Sequence, residues 1–193
     1  MFKPVNRLVV DIETLGVNPH APVLSIGLAL LRDDYTIRSN EVVEFGIDLQ
    51  AYERSDSVFI ADQSTLDWWE KQEGSKAYKQ AFSGQMGIGV ACQSVRDFYI
   101  KHKCREVWAN HPHFDVVILE HLFQQCEVET PWRYFEVYDV ATVGKPFLTD
   151  QKKKEFRTGL VEHIGYHDAW YEAKCLQWIL PQLQLSDPVE ILY

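Results

Sequence analysis

The chain has little cysteine, little methionine and no excess of positive charge. Its four cysteines are Cys92, Cys104, Cys126 and Cys175. None closes a CxxC pair and none stands at zinc-finger spacing from a histidine, so a disulfide scaffold and a zinc module are both excluded. They read as buried free thiols in a reducing compartment. Nineteen basic against 28 acidic residues leave a formal charge of −9. That excludes a protein that coats a polyanion by bulk charge. It leaves room for an enzyme acting on nucleic acid, because bound divalent cations invert the sign of a local site. Long apolar runs are also missing. The longest, Ala21 to Leu31, is interrupted by Ser25 and Gly27, whereas a membrane span needs about 20 residues. A strand-like segment begins within a few residues of Met1, which leaves no space for a signal peptide. The expectation is a cytoplasmic protein with no membrane partner.

What is present is globular. Hydrophobic residues make up 46% and charged residues 24% of 193 residues, which suits one domain at roughly 100–200 residues each. A single domain over residues 1–193 is expected, without repeat, low-complexity segment or linker. Arg7 to Glu13 is a β-branched run closed by Thr14-Leu15-Gly16 and predicts a buried strand. Pro22 to Arg32 and Tyr35 to Leu49 predict two more, joined by tight turns in an antiparallel meander. Cap residues precede a helix through Leu66 to Glu70. Helices are then predicted over Val90–His102, Pro112–Gln125, near Val140, and His167–Leu180, the last ended by Pro181. Short strands are predicted at Glu106–Ala109 and Tyr134–Tyr138. The order implies an α/β fold with a mixed central sheet of five to six strands, a meander followed by parallel strands, flanked by helices.

Acidic residues collect at element ends. Asp11 and Glu13 are two apart on a strand and therefore share a face. Carboxylates forced together stay ionised only when a cation sits nearby. Asp115 opens the helix after Asn110, and His163 and Asp168 stand at the start of the last helix. Four carboxylates and one histidine at element ends suit a two-metal phosphoryl-transfer site.

Asp11-Ile12-Glu13-Thr14, then Asn110 to Phe114-Asp115, then His163 followed five residues later by Asp168-Ala169, resemble the three motifs of the DEDDh 3′→5′ exonucleases. Thr65 to Gln72 and Val107 to Asp115 resemble the small phage exonuclease A and exoribonuclease AS group within it. The resemblance implies a ribonuclease H-like fold and a metal-dependent enzyme. That enzyme would release nucleoside 5′-monophosphates from the 3′ end of single-stranded RNA or DNA, with RNA slightly favoured. It implies two divalent cations, Mg²⁺ or Mn²⁺, held by Asp11, Glu13, Asp115 and Asp168. His163 would be the general base, since an imidazole takes and returns a proton near neutral pH. It implies substrate contacts from Thr14, Leu15, Asn110, Phe114 and either Trp68 or Trp69. Neighbouring helix positions lie about 100° apart, so one Trp is expected in the cleft and the other in the core. Lys152, Lys153, Lys154 and Arg157 form a basic cluster ahead of His163 and are expected either in a solvated loop or on substrate phosphates. Homodimers are frequent in the family. Two other classes compete: a non-catalytic nucleic-acid-binding module on the same fold, and a phosphohydrolase of nucleotides.

Overall fold

The computed structural model describes residues 5–55 and 58–185; the ends of the expected 1–193 domain lie outside the described residues. A five-stranded sheet runs in the order β3-β2-β1-β4-β5, with β1 at Asn6–Thr14, β2 at Val23–Leu31, β3 at Val42–Gly46, β4 at Cys104–Ala109 and β5 at Val137–Asp139. β1, β2 and β3 pair antiparallel, and β1, β4 and β5 pair parallel. This is the meander followed by parallel strands, with five strands. The helices are α1 (Gln50–Glu53), α2 (Gln63–Lys71), α3 (Lys76–Ala81), α4 (Ile88–Lys101), α5 (Pro112–Gln125), α6 (Val140–Gly144), α7 (Asp150–Arg157) and α8 (Gly165–Leu185). Among the described residues no helix is long and apolar enough to cross a membrane.

The alternation of β1 sorts its side chains between two layers. Leu8, Val10 and Ile12 face α4 and α5 in one buried cluster with Val95, Leu119 and Phe123. Val9 faces the other way, into a cluster with Ala169, Ala173, Leu176 and Leu180 of α8. Arg7, Asp11 and Glu13 share that second face by strand parity. β2 is buried along its whole length, as a strand covered on both sides must be. α8 lies across β1 and β2, and its approach depends on two glycines. A Cβ at Gly27 of β2 would stand 1.9 Å from the carbonyl carbon of Gly165. Only backbone against backbone brings the first turn of α8 this near the sheet.

Four predicted segments differ from expectation. The strand expected over Tyr134–Tyr138 starts only at Val137, because Tyr134–Glu136 form a 3₁₀ turn in which Glu136 accepts from the Arg133 backbone N–H. The third strand, expected over 35–49, is only Val42–Gly46: Tyr35 adopts a left-handed φ of 63° and Ser39–Glu41 form a 3₁₀ turn. The basic cluster is helical, with Thr149 capping α7 through its side chain. α8 begins at Gly165 and continues past Pro181, because one proline removes a single hydrogen bond near the end of a long, well-packed helix. α1 and α3 are short and carry no apolar period that sequence reading detects. All four cysteines are free, and three of them are buried.

Candidate active site

Four carboxylates meet at the C-terminal ends of β1 and β4. Asp11 and Glu13 come from β1, Asp115 from the first turn of α5, and Asp168 from the first turn of α8. The sharp turn into α5 is made by His111, whose φ is 65°, followed by Pro112 at the helix start. Asp115 is anchored there: its Oδ1 accepts from the Ile12 backbone N–H at 3.1 Å, tying α5 to the strand between Asp11 and Glu13. Asp168 Oδ2 accepts from the His163 backbone N–H at 2.7 Å. Oxygens of Asp11, Glu13 and Asp168 all lie within 4.8 Å of one another.

Little positive charge balances them. Burial pushes the Asp11 carboxyl well above the ordinary carboxylate range, and the charges of Glu172, Glu13, Asp115 and Asp168 push the same way. Glu13 is raised by burial, then by Asp168, Glu44 and Asp115. Asp115 rises to about 7, chiefly through burial, against the lowering effect of its backbone hydrogen bonds. The cation in contact with the cluster is Arg157, whose Nη1 pairs with Asp168 Oδ1. Its guanidinium also lies 3.7 Å over the Tyr171 ring, and its Nε is 3.8 Å from Glu162. An all-carboxylate donor set, converging and short of cations, fits a hard divalent ion.

These groups line a cavity of about 500 Å³. Thr14, Asn110, Phe114, Trp68, Trp69, Arg157 and His163 line it as well. The two tryptophans divide as their helical spacing requires. Trp69 is buried, and its Nε1 donates to the Thr14 carbonyl at 2.8 Å. Trp68 is half-buried and meets the His163 ring edge-on, with centroids 4.7 Å apart. His163 is exposed at the rim, on a left-handed backbone with φ 61°.

Leu15 is not among the cavity's lining residues. It is buried beneath it, against Leu24, Trp69 and Ile164, because the bulge between Glu13 and Thr14 breaks the alternation that would keep it on the Asp11 face. The lysines also stand apart. Lys152 pairs with Glu155 and lies 4.5 Å over the Trp178 ring, Lys153 lines an adjoining cavity of about 450 Å³, and Lys154 lines a smaller one next to Arg157. Sequence reading passed over Tyr171 and Glu172, which line both the main and the adjoining cavity. Glu172 was detectable: it lies four residues after Asp168, on the same helix face.

A family model for the Rv2179c-like domain, a 3′–5′ exoribonuclease domain, matches residues 6–180. The chain belongs to this family. Its members are described as 3′–5′ exoribonuclease domains, which supports an exonuclease over the two competing classes, a non-catalytic binding module and a nucleotide phosphohydrolase. No individually curated protein matches the chain by sequence. Among solved structures, the fold is similar to E. coli exonuclease I in complex with a dT13 oligonucleotide, with a TM-score of 0.62 and 9% identity over 93% of this chain and 42% of that one. It is similar to S. pombe Pop2p in its Mg²⁺- and Mn²⁺-bound form, with a TM-score of 0.58 and 13% identity over 90% and 82% of the two chains. The cell-death related nuclease CRN-4 matches with a TM-score of 0.60 and 11% identity over 94% and 66%. The chain spans less than half of exonuclease I. The shared fold is ribonuclease H-like.

Proposed function

We propose that the protein removes nucleotides one at a time from the 3′ end of single-stranded nucleic acid, RNA slightly before DNA, releasing nucleoside 5′-monophosphates. The observation that carries this reading is the convergence of Asp11, Glu13 and Asp168 within 4.8 Å beside an aromatic-walled cavity. The oligonucleotide bound to exonuclease I supports a single-stranded substrate, and the exoribonuclease family description supports RNA.

Asp11, Glu13 and Asp168 would hold one Mg²⁺ or Mn²⁺, and Asp11 with Asp115 a second; the Mg²⁺- and Mn²⁺-bound form of Pop2p supports these ions. When bound, such ions stabilise the attacking and leaving oxygens of a phosphoryl transfer. The remaining roles fall to side chains. His163, at the rim and braced by Trp68, takes the proton of the attacking water. The Phe114 and Trp68 rings stack on unpaired bases, a contact worth ~1–3 kcal/mol per base and tolerant of sequence. Thr14 and Asn110, which line the cavity, contact the terminal sugar. Arg157 turns to a substrate phosphate once cations satisfy Asp168, since a guanidinium fits that anion well.

The test is digestion of 5′-labelled single-stranded RNA and DNA with Mg²⁺ or EDTA. A ladder shortening from the 3′ end, abolished by EDTA, is expected, and His163→Ala should slow it by about 10²–10⁴-fold. Cleavage that persists in EDTA, or that starts internally, would overturn the reading.

A further inference from the structure

Glu172 has no role in the four-carboxylate scheme, yet it is buried among the acids of the cavity. It is 5% exposed, and its Oε2 is buried without a hydrogen-bond partner. The Asn110 backbone N–H, at the end of β4, faces its carboxyl and eases the charge, while Asp115 and Asp168 oppose it. It also lines the cavity that holds Asp11 and Asp168.

A buried carboxylate can find its partners inside the protein. Glu106, in the same layer, shows the pattern: its Oε2 accepts from Arg7 Nε at 2.8 Å and from Trp108 Nε1 at 2.8 Å. An acceptor left unpaired in the interior costs about 1–3 kcal/mol. At a cavity wall, a ligand can complete such an atom. Glu172 shares its cavity with Asp11, Glu13, Asp115 and Asp168, so the missing partner is positively charged or a donor of hydrogen bonds.

Resting on the exonuclease reading, we propose that Glu172 is a fifth metal-holding carboxylate: its unpaired oxygen faces the cation on the Asp11–Asp115 side, directly or through a bound water. The placement follows from helix geometry. Asp168 and Glu172 are four apart on α8 and present neighbouring carboxylates to one side, with Asp115 across the cavity. Asp168 is already occupied by the His163 amide and by Arg157. Glu172 is the α8 carboxylate that keeps an oxygen in reserve.

The experiment is Mn²⁺ titration of the metal-free protein by calorimetry, for the wild type, Glu172→Gln and Glu172→Asp. Near-ultraviolet circular dichroism checks each fold. Glu172→Gln keeps the shape and removes the charge. It should weaken the weaker of two Mn²⁺ sites by about 10–100-fold, the range found for outer-sphere ligands, and leave the tighter site unchanged. The lost activity should return at higher Mn²⁺. Glu172→Asp keeps the charge and should lose less affinity, and it serves alone if the Gln variant does not fold. A Glu172→Gln isotherm that superimposes on the wild type would overturn the inference while wild-type 3′ digestion leaves the exonuclease reading standing. A wild type that binds no Mn²⁺ and digests nothing would overturn both.

Discussion

β1 carries buried charge at both ends of the same face, and the two ends are built on opposite terms. At the start, Arg7 is fully buried. It meets Glu106 at 2.8 Å, donates to the Val5 carbonyl at 2.9 Å, and lies 5.4 Å from the Tyr35 ring centroid. That end is closed, with charge and hydrogen bonds matched inside the protein. Four residues on, Asp11 and Glu13 share a pocket with Asp115, Asp168 and Glu172, and among the described residues Arg157 supplies the contacting positive charge. The same strand, the same layer and the same helix overhead therefore produce one internally complete site and one that is complete only with something added. The difference locates function: structure neutralises its own buried charge, and a site that leaves acid uncompensated is waiting for a cation.

Exchanging the character of the two ends tests this contrast. The largest effect is expected from Asp11→Asn. Turnover should be lost altogether while metal-free thermal stability rises, because one repelling charge leaves a crowded pocket; a variant that still cleaves in Mg²⁺ would break the comparison. At the other end, Arg7→Leu strands Glu106 in the interior. It should cost about 3–5 kcal/mol in denaturant unfolding, with little change in the metal titration of protein that remains folded.

A smaller effect comes from pH. Asp115 rises to about 7 when folded, from 3.8 ordinarily. Between those values the folded chain holds a proton that the unfolded chain has released. Its contribution is full below the lower value and is lost as pH rises through the upper one, by up to ~1.4 kcal/mol per pH unit for each such proton. Mg²⁺ needs the ionised form. The difference in melting temperature between Mg²⁺ and EDTA should therefore widen from pH 5 to pH 8, and a constant gap would contradict the assignment. The smallest effect separates the lysines. Lys153→Ala, beside the adjoining cavity, should raise KM modestly and in a salt-dependent way, whereas Lys152→Ala should leave KM alone, since Lys152 is spent on Glu155 and Trp178.

The sheet and the acid cluster were legible because they depend on periodicity and order along the chain. Alternation placed Asp11 with Glu13, and the helix starts placed Asp115 and Asp168. What escaped notice depends on three dimensions. Leu15 turns inward because of the bulge between Glu13 and Thr14, which no local pattern announces. The Lys152–Arg157 segment is helical, so Arg157 faces the acids while Lys152 faces Trp178, a division that charge counting cannot make. Glu172 hid among the apolar positions of α8, a helix read as functional at its start, where Asp168 stands, and as packing beyond it.

The contact between Gly27 and Gly165 fixes the bore of the site. With no side chain on either, α8 sits at its nearest approach to β2, and Asp168 is drawn toward Asp11 and Glu13 by that margin. A Cβ at Gly165 would stand 3.0 Å from the Gly27 nitrogen and 3.3 Å from Glu44 Oε1, a clash that a shift of a few tenths of an ångström relieves. The oxygen distances of Mg²⁺, 2.0–2.1 Å, and of Ca²⁺, roughly 2.3–2.6 Å, differ by about that much. If the acids hold a cation, the two absent methyl groups set its size, and Gly165→Ala should shift the relative affinity for Mg²⁺ and Ca²⁺, read by calorimetry, toward the larger ion.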